Sequence, residues 1–395
     1  MKGSNLAQTD DTSKGSEKAA VADGEVIGLE GGLLLASGLS GCSLGARVVV
    51  GENAVEAEVL ADLQEGTLVA MYDEMPELCT GIPLRGVAEP HSIPLGPGLE
   101  GRVFDPLLRP LCVPAMEEDV TSPIPAIDPK KTWYFAPQVL VGDEVIPGAI
   151  LGDAKNGGSI RYRVMVPPHI SGTIKEMHSG ERSAGSDLVT LEAGPSISMI
   201  HRWPLKIKRP FASQLPAGNI HYTVPSHRMA FRQGSMTVAR GIPFSQRVEA
   251  VSELLGESPF DMVVFVCCGL QASKVMEYRD AMDGLGGGAA TGSEKILWIV
   301  APPSAHSMRV HLAPFTGTRL AEFYRDMGYS VLLLIDDLAR WNLSRIQVDR
   351  ITRERNPKDP LSAALFGCFG RVECLGGLNR TGAISMMVFH SNLSE

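Results

Sequence analysis

The sequence predicts a multidomain α+β chain in which two β-rich modules precede an α/β domain built on a mainly parallel sheet. Three features carry that expectation. Short Val- and Leu-rich runs separated by glycine turns fill the region from Gly24 to about Leu95. A proline-punctuated β texture then continues to about Pro210. Beyond it, uninterrupted apolar runs alternate with segments of helical periodicity. Such runs mark strands buried on both faces.

The elements follow in order. Residues 1–23 are rich in Ser, Gly, Lys, Asp and Ala and read as a solvated, disordered tail. In residues 24–95, strands are expected at Glu25 to Leu29, Gly32 to Ala36, Ala46 to Val50, Val55 to Val59 and Thr67 to Tyr72. Short strands at this spacing suggest a small barrel or sandwich. Pro94, Gly96, Pro97 and Gly98 break the pattern, and Val103 to Leu108 is expected to form a helical turn. Residues 96–210 form a second β module, with turns expected at Gly142-Asp143 and Gly152-Asp153 and a new segment at Met165-Val166-Pro167-Pro168. Lys155 reads as a solvated turn lysine.

Residues 211–395 change character. Met262 to Val266, Ile296 to Val300 and Val331 to Ile335 are continuous apolar runs. Val248, Val251, Leu254 and Leu255 share one helical face, with Glu249 and Glu253 opposite. Leu320, Phe323, Tyr324 and Met327 form another such face. Strand, helix, strand in this order makes a doubly wound domain whose ligand site lies at the carboxyl ends of the strands.

Composition narrows the function. The chain has 395 residues, 44% hydrophobic and 21% charged, with a formal net charge of −9. An acidic chain argues against a nucleic-acid surface. No apolar run approaches the ~20 residues of a membrane helix. The first residues lack the apolar core of a signal peptide. The seven cysteines are odd in number and include no C-x-x-C, which indicates neither a disulfide framework nor a zinc ribbon. His306, His311 and His390 lack metal-ligand spacing. These features place the chain in the cytoplasm without direct membrane insertion.

Three stretches carry a resemblance. The first is Leu95-Gly96-Pro97-Gly98-Leu99, followed by Val103-Phe104-Asp105 and Arg109-Pro110-Leu111. The second is Val141-Gly142-Asp143-Glu144-Val145, Gly148-Ala149-Ile150-Leu151-Gly152, Val166-Pro167-Pro168, Ser171-Gly172-Thr173 and Trp203-Pro204. The third runs from Phe323-Tyr324-Arg325-Asp326-Met327-Gly328-Tyr329 to Asp336 and Ala339-Arg340-Trp341. Their order resembles the catalytic A subunit, or alpha chain, of V/A-type rotary ATPases, which couple ATP synthesis or hydrolysis to proton or sodium transport. The resemblance implies an N-terminal β-barrel, an insertion module and a P-loop-NTPase-like α/β domain, with the family's helical C-terminal domain absent. It also implies Mg-ATP or Mg-ADP as ligand, and the B subunit together with the other rotary subunits as partners. Membrane association would come only through that complex.

The phosphate loop departs from that pattern. A P-loop needs G-x-x-x-x-G-K-[ST], whose glycines let backbone N–H groups surround the phosphates. No G-K-[ST] occurs in the chain. The resemblance places the loop at Arg240 to Arg247, before a helix expected to start near Val248. Arg240, Pro243 and Ser245 then stand at glycine positions, Gln246 at the lysine and Arg247 at the threonine. Arg240 and Arg247 read either as an anion site at a helix N-terminus or as two solvated loop arginines. Leu270 stands where the family's water-orienting Glu would be, a loss worth on the order of 10² to 10⁴ in rate. Val310-His311 stands at a family Arg-Glu pair. Asp336 ends a strand where the family's acid holds Mg²⁺. It reads equally as a metal ligand, a helix N-cap or a partner of Arg340. The implied function is a catalytically inert family member with an assembly or structural role. The alternative is an atypical ATP-binding chain using Arg240, Arg247 and Asp336.

Overall fold

The computed structural model of the chain describes residues 22–30, 33–112, 117–118, 124–157, 160–167, 170–214, 221–224, 229–232, 234–257, 260–283, 293–344, 374–376 and 382–391. Residues 1–21 of the expected tail lie outside these. Ala22 and Asp23 already belong to the first strand, where they pair with Gly86 and Arg85.

The first strands are β1 (Ala22–Glu30), β2 (Leu33–Ser37), β3 (Ala46–Val50), β4 (Val55–Leu63), β5 (Gly66–Met71) and β6 (Pro83–Pro90). They close a barrel in the order β1-β2-β5-β4-β3-β6. Alternation explains the closure: Ala46, Val48 and Val50 point inward, as do Leu34 and Ala36 on β2. The sequence therefore located five barrel strands and missed β6. Its bracketing prolines hide it from propensity, yet Pro is tolerated at strand ends. Ser92–Leu95 lies outside the barrel and pairs antiparallel with His201–Pro204.

The second module contains a four-stranded sheet, in the order Tyr162–Met165, Ile150–Lys155, Thr132–Pro137 and Gly180–Ser183. A three-stranded sheet of Glu144–Val145, Gly172–Met177 and Val189–Leu191 completes it. Trp133 and Phe135 alternate inward from one strand to meet Leu151, Val164, Ile174 and Leu191. Gly152-Asp153 is not the expected turn. Both residues lie within a strand, beside a bulge between Ile150 and Gly152. A Cβ at Gly152 would collide with the Ala136 carbonyl oxygen, so close strand approach, not chain reversal, requires this glycine. Lys155 is the exposed last residue of that strand, leading into a bend.

The α/β domain has a six-stranded parallel sheet in the order Met236–Arg240, Ala383–His390, Ser330–Asp336, Met262–Cys268, Ile296–Ala301, Val103–Phe104. Its last member corrects the helical turn expected at Val103 to Leu108. Val103–Phe104 is an edge strand beside Trp298–Ile299, and Asp105 Oδ1 then accepts the N–H groups of Leu107 and Arg109 to shape a turn.

Helices cover both faces. Helix α1 (Phe244–Glu257) and helix α2 (Ala272–Asp283) share a core with Val263, Phe265 and Cys267, while helix α3 (Ser307–Asp326) shares one with Met262, Val264 and Val266. Alternate residues of one strand thus feed two separate cores. On α1 the expected face is correct: Val251, Leu254 and Leu255 are buried and Glu249 is exposed. On α3 the expected amphipathic helix is instead buried on every side. Its charged residues are paired internally. Arg319 bonds Glu322, Arg325 Nη2 lies 2.8 Å from Asp326, and Arg209 Nε lies 2.7 Å from Asp326. Arg209 also lies over the Trp203 ring at 5.1 Å, tying the exit of the second module to α3. No helix among the described residues is long and apolar enough to cross a membrane.

Candidate functional site

A doubly wound sheet presents its ligand site at the carboxyl ends of its strands. Here those ends are Arg240, His390, Asp336, Cys268, Ala301 and Phe104. Only Gly241, Ile242 and Pro243 connect Arg240 to α1. The helix starts at Phe244, four residues earlier than expected, because Pro243 presets the entry to the first turn. Ser245, Gln246 and Arg247 therefore lie in that first turn.

The connection offers little to a phosphate. Gly241 N–H donates to the His390 carbonyl at 3.1 Å, and Pro243 has no N–H. The Ile242 carbonyl accepts Arg247 Nε at 2.7 Å. Arg240, Ser245 and Gln246 are not drawn into the core; Arg240 and Gln246 are exposed.

Arg247 is not the solvated arginine considered from the sequence. It is 3% exposed and folds inward across the sheet edge. Its Nη1 lies 2.6 Å from Asp336 Oδ1 and 3.5 Å from Asp337 Oδ2. Asp336 is fully buried, and its second oxygen accepts the Tyr278 hydroxyl at 2.9 Å. The partner of Asp336 is thus Arg247, not Arg340. Asp337 Oδ1 accepts the backbone N–H groups of Ala339 at 2.8 Å and Ser391 at 3.2 Å. The N-cap-like role considered for Asp336 falls to Asp337 instead.

The electrostatics follow from burial. Loss of water pushes the Asp336 carboxyl up to about 6, while Arg247 pulls it back and Asp337 adds to the rise. Burial works against the Arg247 cation, but Asp336 and Asp337 outweigh it and raise its pKa. Burial and the neighbouring Asp336 lift the Tyr278 hydroxyl well above its usual range.

Leu270 is buried in the core shared by α1 and α2. The preceding Gly269 has φ +69°, and the Arg340 side chain packs where a Cβ would stand. His311 is buried against Trp341, its ring 6.2 Å away and nearly parallel. His306 caps α3, accepting the Met308 N–H on Nδ1 at 3.3 Å. Among the described residues no group of three or more His, Cys, Asp or Glu could hold a metal ion. Sequence reasoning missed Tyr278. Its signal was the Val275, Tyr278, Met282 stripe that α2 buries.

Comparison with known proteins places this geometry. Residues 124–206 match the barrel-sandwich domain of the ATP synthase alpha/beta subunit, and residues 234–387 match the ATP synthase alpha/beta family, nucleotide-binding domain. The V-type ATP synthase alpha chain of Anaeromyxobacter dehalogenans is 31% identical over 381 residues, covering 92% of this chain and 65% of that one. The chain belongs to the ATP synthase alpha/beta family. Its likeness to V-type alpha chains extends to Thermoanaerobacter, at 27% identity over 93% of this chain and 66% of the relative. The A subunit of the A-type ATP synthase of Metallosphaera sedula is 26% identical over the same shares. This ATP synthase alpha/beta homologue thus spans about two thirds of the length of the relatives it matches, 65% of the A. dehalogenans chain.

A magnesium nucleotide is the ligand that such a nucleotide-binding domain implies. The residues present do not fit it. A phosphate cradle needs several free N–H groups around a cation. Here one N–H is spent on His390, one is missing at Pro243, and the Arg247 cation is bonded to the two carboxylates at the sheet edge.

Proposed function

We propose that this ATP synthase alpha/beta homologue does not turn over ATP by itself and serves a structural or assembly role in a V/A-type rotary complex. The observation that carries this reading is the Arg247 guanidinium lying on Asp336 and Asp337. A protein cation stands where a carboxylate at the strand end would otherwise hold Mg²⁺ through water. Leu270, buried in the core, leaves no carboxylate at its position to orient an attacking water. The scaffold that assembly draws on is in place: barrel, barrel-sandwich module and parallel sheet. Its partners are then the B subunit together with the other rotary subunits, in the cytoplasm, with the membrane reached only through them.

The test has two arms. Purified protein is titrated with Mg-ATP and Mg-ADP by calorimetry and thermal shift, and neither nucleotide is expected to shift the melting temperature. Co-purification with a V-type B subunit is expected under conditions that recover a full-length alpha chain. No recovery of that partner there removes the assembly role. The reading based on Arg240, Arg247 and Asp336 gives the opposite result in the first arm: saturable, Mg-dependent stabilisation by ATP that Asp336→Ala abolishes. Arg240 is exposed, and Arg247 would have to leave its carboxylates to serve it.

A further inference from the structure

The opposite edge of the same sheet holds a cavity of about 300 Å³. Its floor comes from the amino end of the strand Ile296–Ala301 and from the last turn of α2. Arg279, Asp283 and Glu294 supply the polar wall, and Met282, Ile296 and Trp298 the apolar one. The cavity is separate from the Arg247 site, since it opens at the amino rather than the carboxyl ends of the strands.

Arg279 brings an unmet donor to this wall. Its Nη1 is buried and meets no hydrogen-bond partner among the described residues. Arg309, Arg319 and Arg325 also keep one such nitrogen, but each bonds a carboxylate through another nitrogen. A buried donor on a charged group without an acceptor is costly, and native proteins rarely keep one without a use. The guanidinium offers a planar fork suited to a carboxylate.

We propose that this cavity binds a small zwitterion bearing one carboxylate and one ammonium group on an apolar body, such as an aliphatic α-amino acid. The carboxylate bonds Arg279, the ammonium faces Asp283 and Glu294, and the aliphatic part lies on Met282, Ile296 and Trp298. The same two acids disfavour a polyphosphate, so the site is not a displaced nucleotide pocket. A volume of about 300 Å³ is at the small end of ligand sites and suits a molecule of this size.

The probe is L-leucine, with leucinamide and N-acetyl-leucine as its single-group controls, measured by saturation-transfer NMR and calorimetry on the whole chain. Saturable binding of L-leucine is expected, with both controls at least about tenfold weaker, the loss of one charge-assisted contact. Arg279→Gln is expected to weaken L-leucine about tenfold or more and to leave the melting temperature unchanged or raised, because Nη1 gives up no protein acceptor. Asp283→Asn is expected to weaken L-leucine while leaving N-acetyl-leucine unaffected. Absence of L-leucine binding to the wild-type chain overturns the proposal. So does equal binding of all three probes, or a lowered melting temperature in Arg279→Gln with unchanged affinity. None of these outcomes depends on whether Mg-ATP binds at the other edge of the sheet.

Discussion

Arg247 Nη1 and Asp336 Oδ1 meet at 2.6 Å across the carboxyl edge of the sheet, with the two side chains 3% and 0% exposed. A buried pair of this kind gains strong attraction only after both ions have lost their water. Its net contribution is therefore small, whereas breaking it from one side is expensive.

Arg247→Ala is accordingly expected to destabilise the α/β domain by about 3–5 kcal/mol, because Asp336 is left buried without its cation. The double variant Arg247→Met with Asp336→Leu is expected to recover most of that loss. Urea denaturation of the wild type, both single variants and the double variant gives the coupling. An additive cycle would mean that the two side chains do not act as a unit.

The pH profile should show two opposing contributions. Asp336 is lifted to about 6 by burial, so between its ordinary range near 4 and that value the folded protein binds more protons than the unfolded chain. Its contribution to stability is fully present below about 4 and is lost as pH rises through about 6. Glu56 goes the other way. Burial opposes its charge, but His91 and Arg47 overcome that and hold it down at about 2. Its contribution is present above about 4.5 and is lost as pH falls towards 2. Melting temperatures across pH 3–8 should flatten between about 4 and 6 in Asp336→Asn and below about 4.5 in Glu56→Gln.

Gly317 lies in α3 where a Cβ would overlap Val266 Cγ2 in the adjoining strand. Alanine gains about 1 kcal/mol of helix propensity over glycine. Overpacking against a β-branched side chain in a closed core costs about 1–3 kcal/mol. The second effect should win. Gly317→Ala is expected to lower stability by up to about 2 kcal/mol, read as a drop in melting temperature, and a stabilised variant would show that the strand yields.

Much of the fold was legible because burial imposes pattern. Met262, Val264 and Val266 face one layer and Val263, Phe265 and Cys267 the other, so the run is apolar throughout and reads as a buried parallel strand. β6 was illegible because Pro83 and Pro90 are poor strand formers whose positions are fixed by partners far along the chain. At the site, the lack of a G-K-[ST] was visible in the letters alone. The destination of Arg247 was not. Nothing local distinguishes a solvated arginine from one that reaches a carboxylate 89 positions later. The charge on α3 misled for the same reason, since Arg319, Glu322, Arg325 and Asp326 resemble a solvent face until their partners are known.

The enclosure of α3 bears on how the chain can be divided. Asp326 and Glu322 are satisfied partly by Arg209, which precedes the nucleotide-binding region. A fragment cut to residues 234–391 would lose that arginine and the Trp203 ring beneath it, leaving Glu322 and Asp326 with only their helix neighbours Arg319 and Arg325 in the interior. A fragment that begins at the boundary of the nucleotide-binding family match, residue 234, is therefore expected to be less stable than one that includes Arg209. A fragment that keeps this cluster whole begins upstream of His201, whose imidazole is 3.1 Å from the same guanidinium.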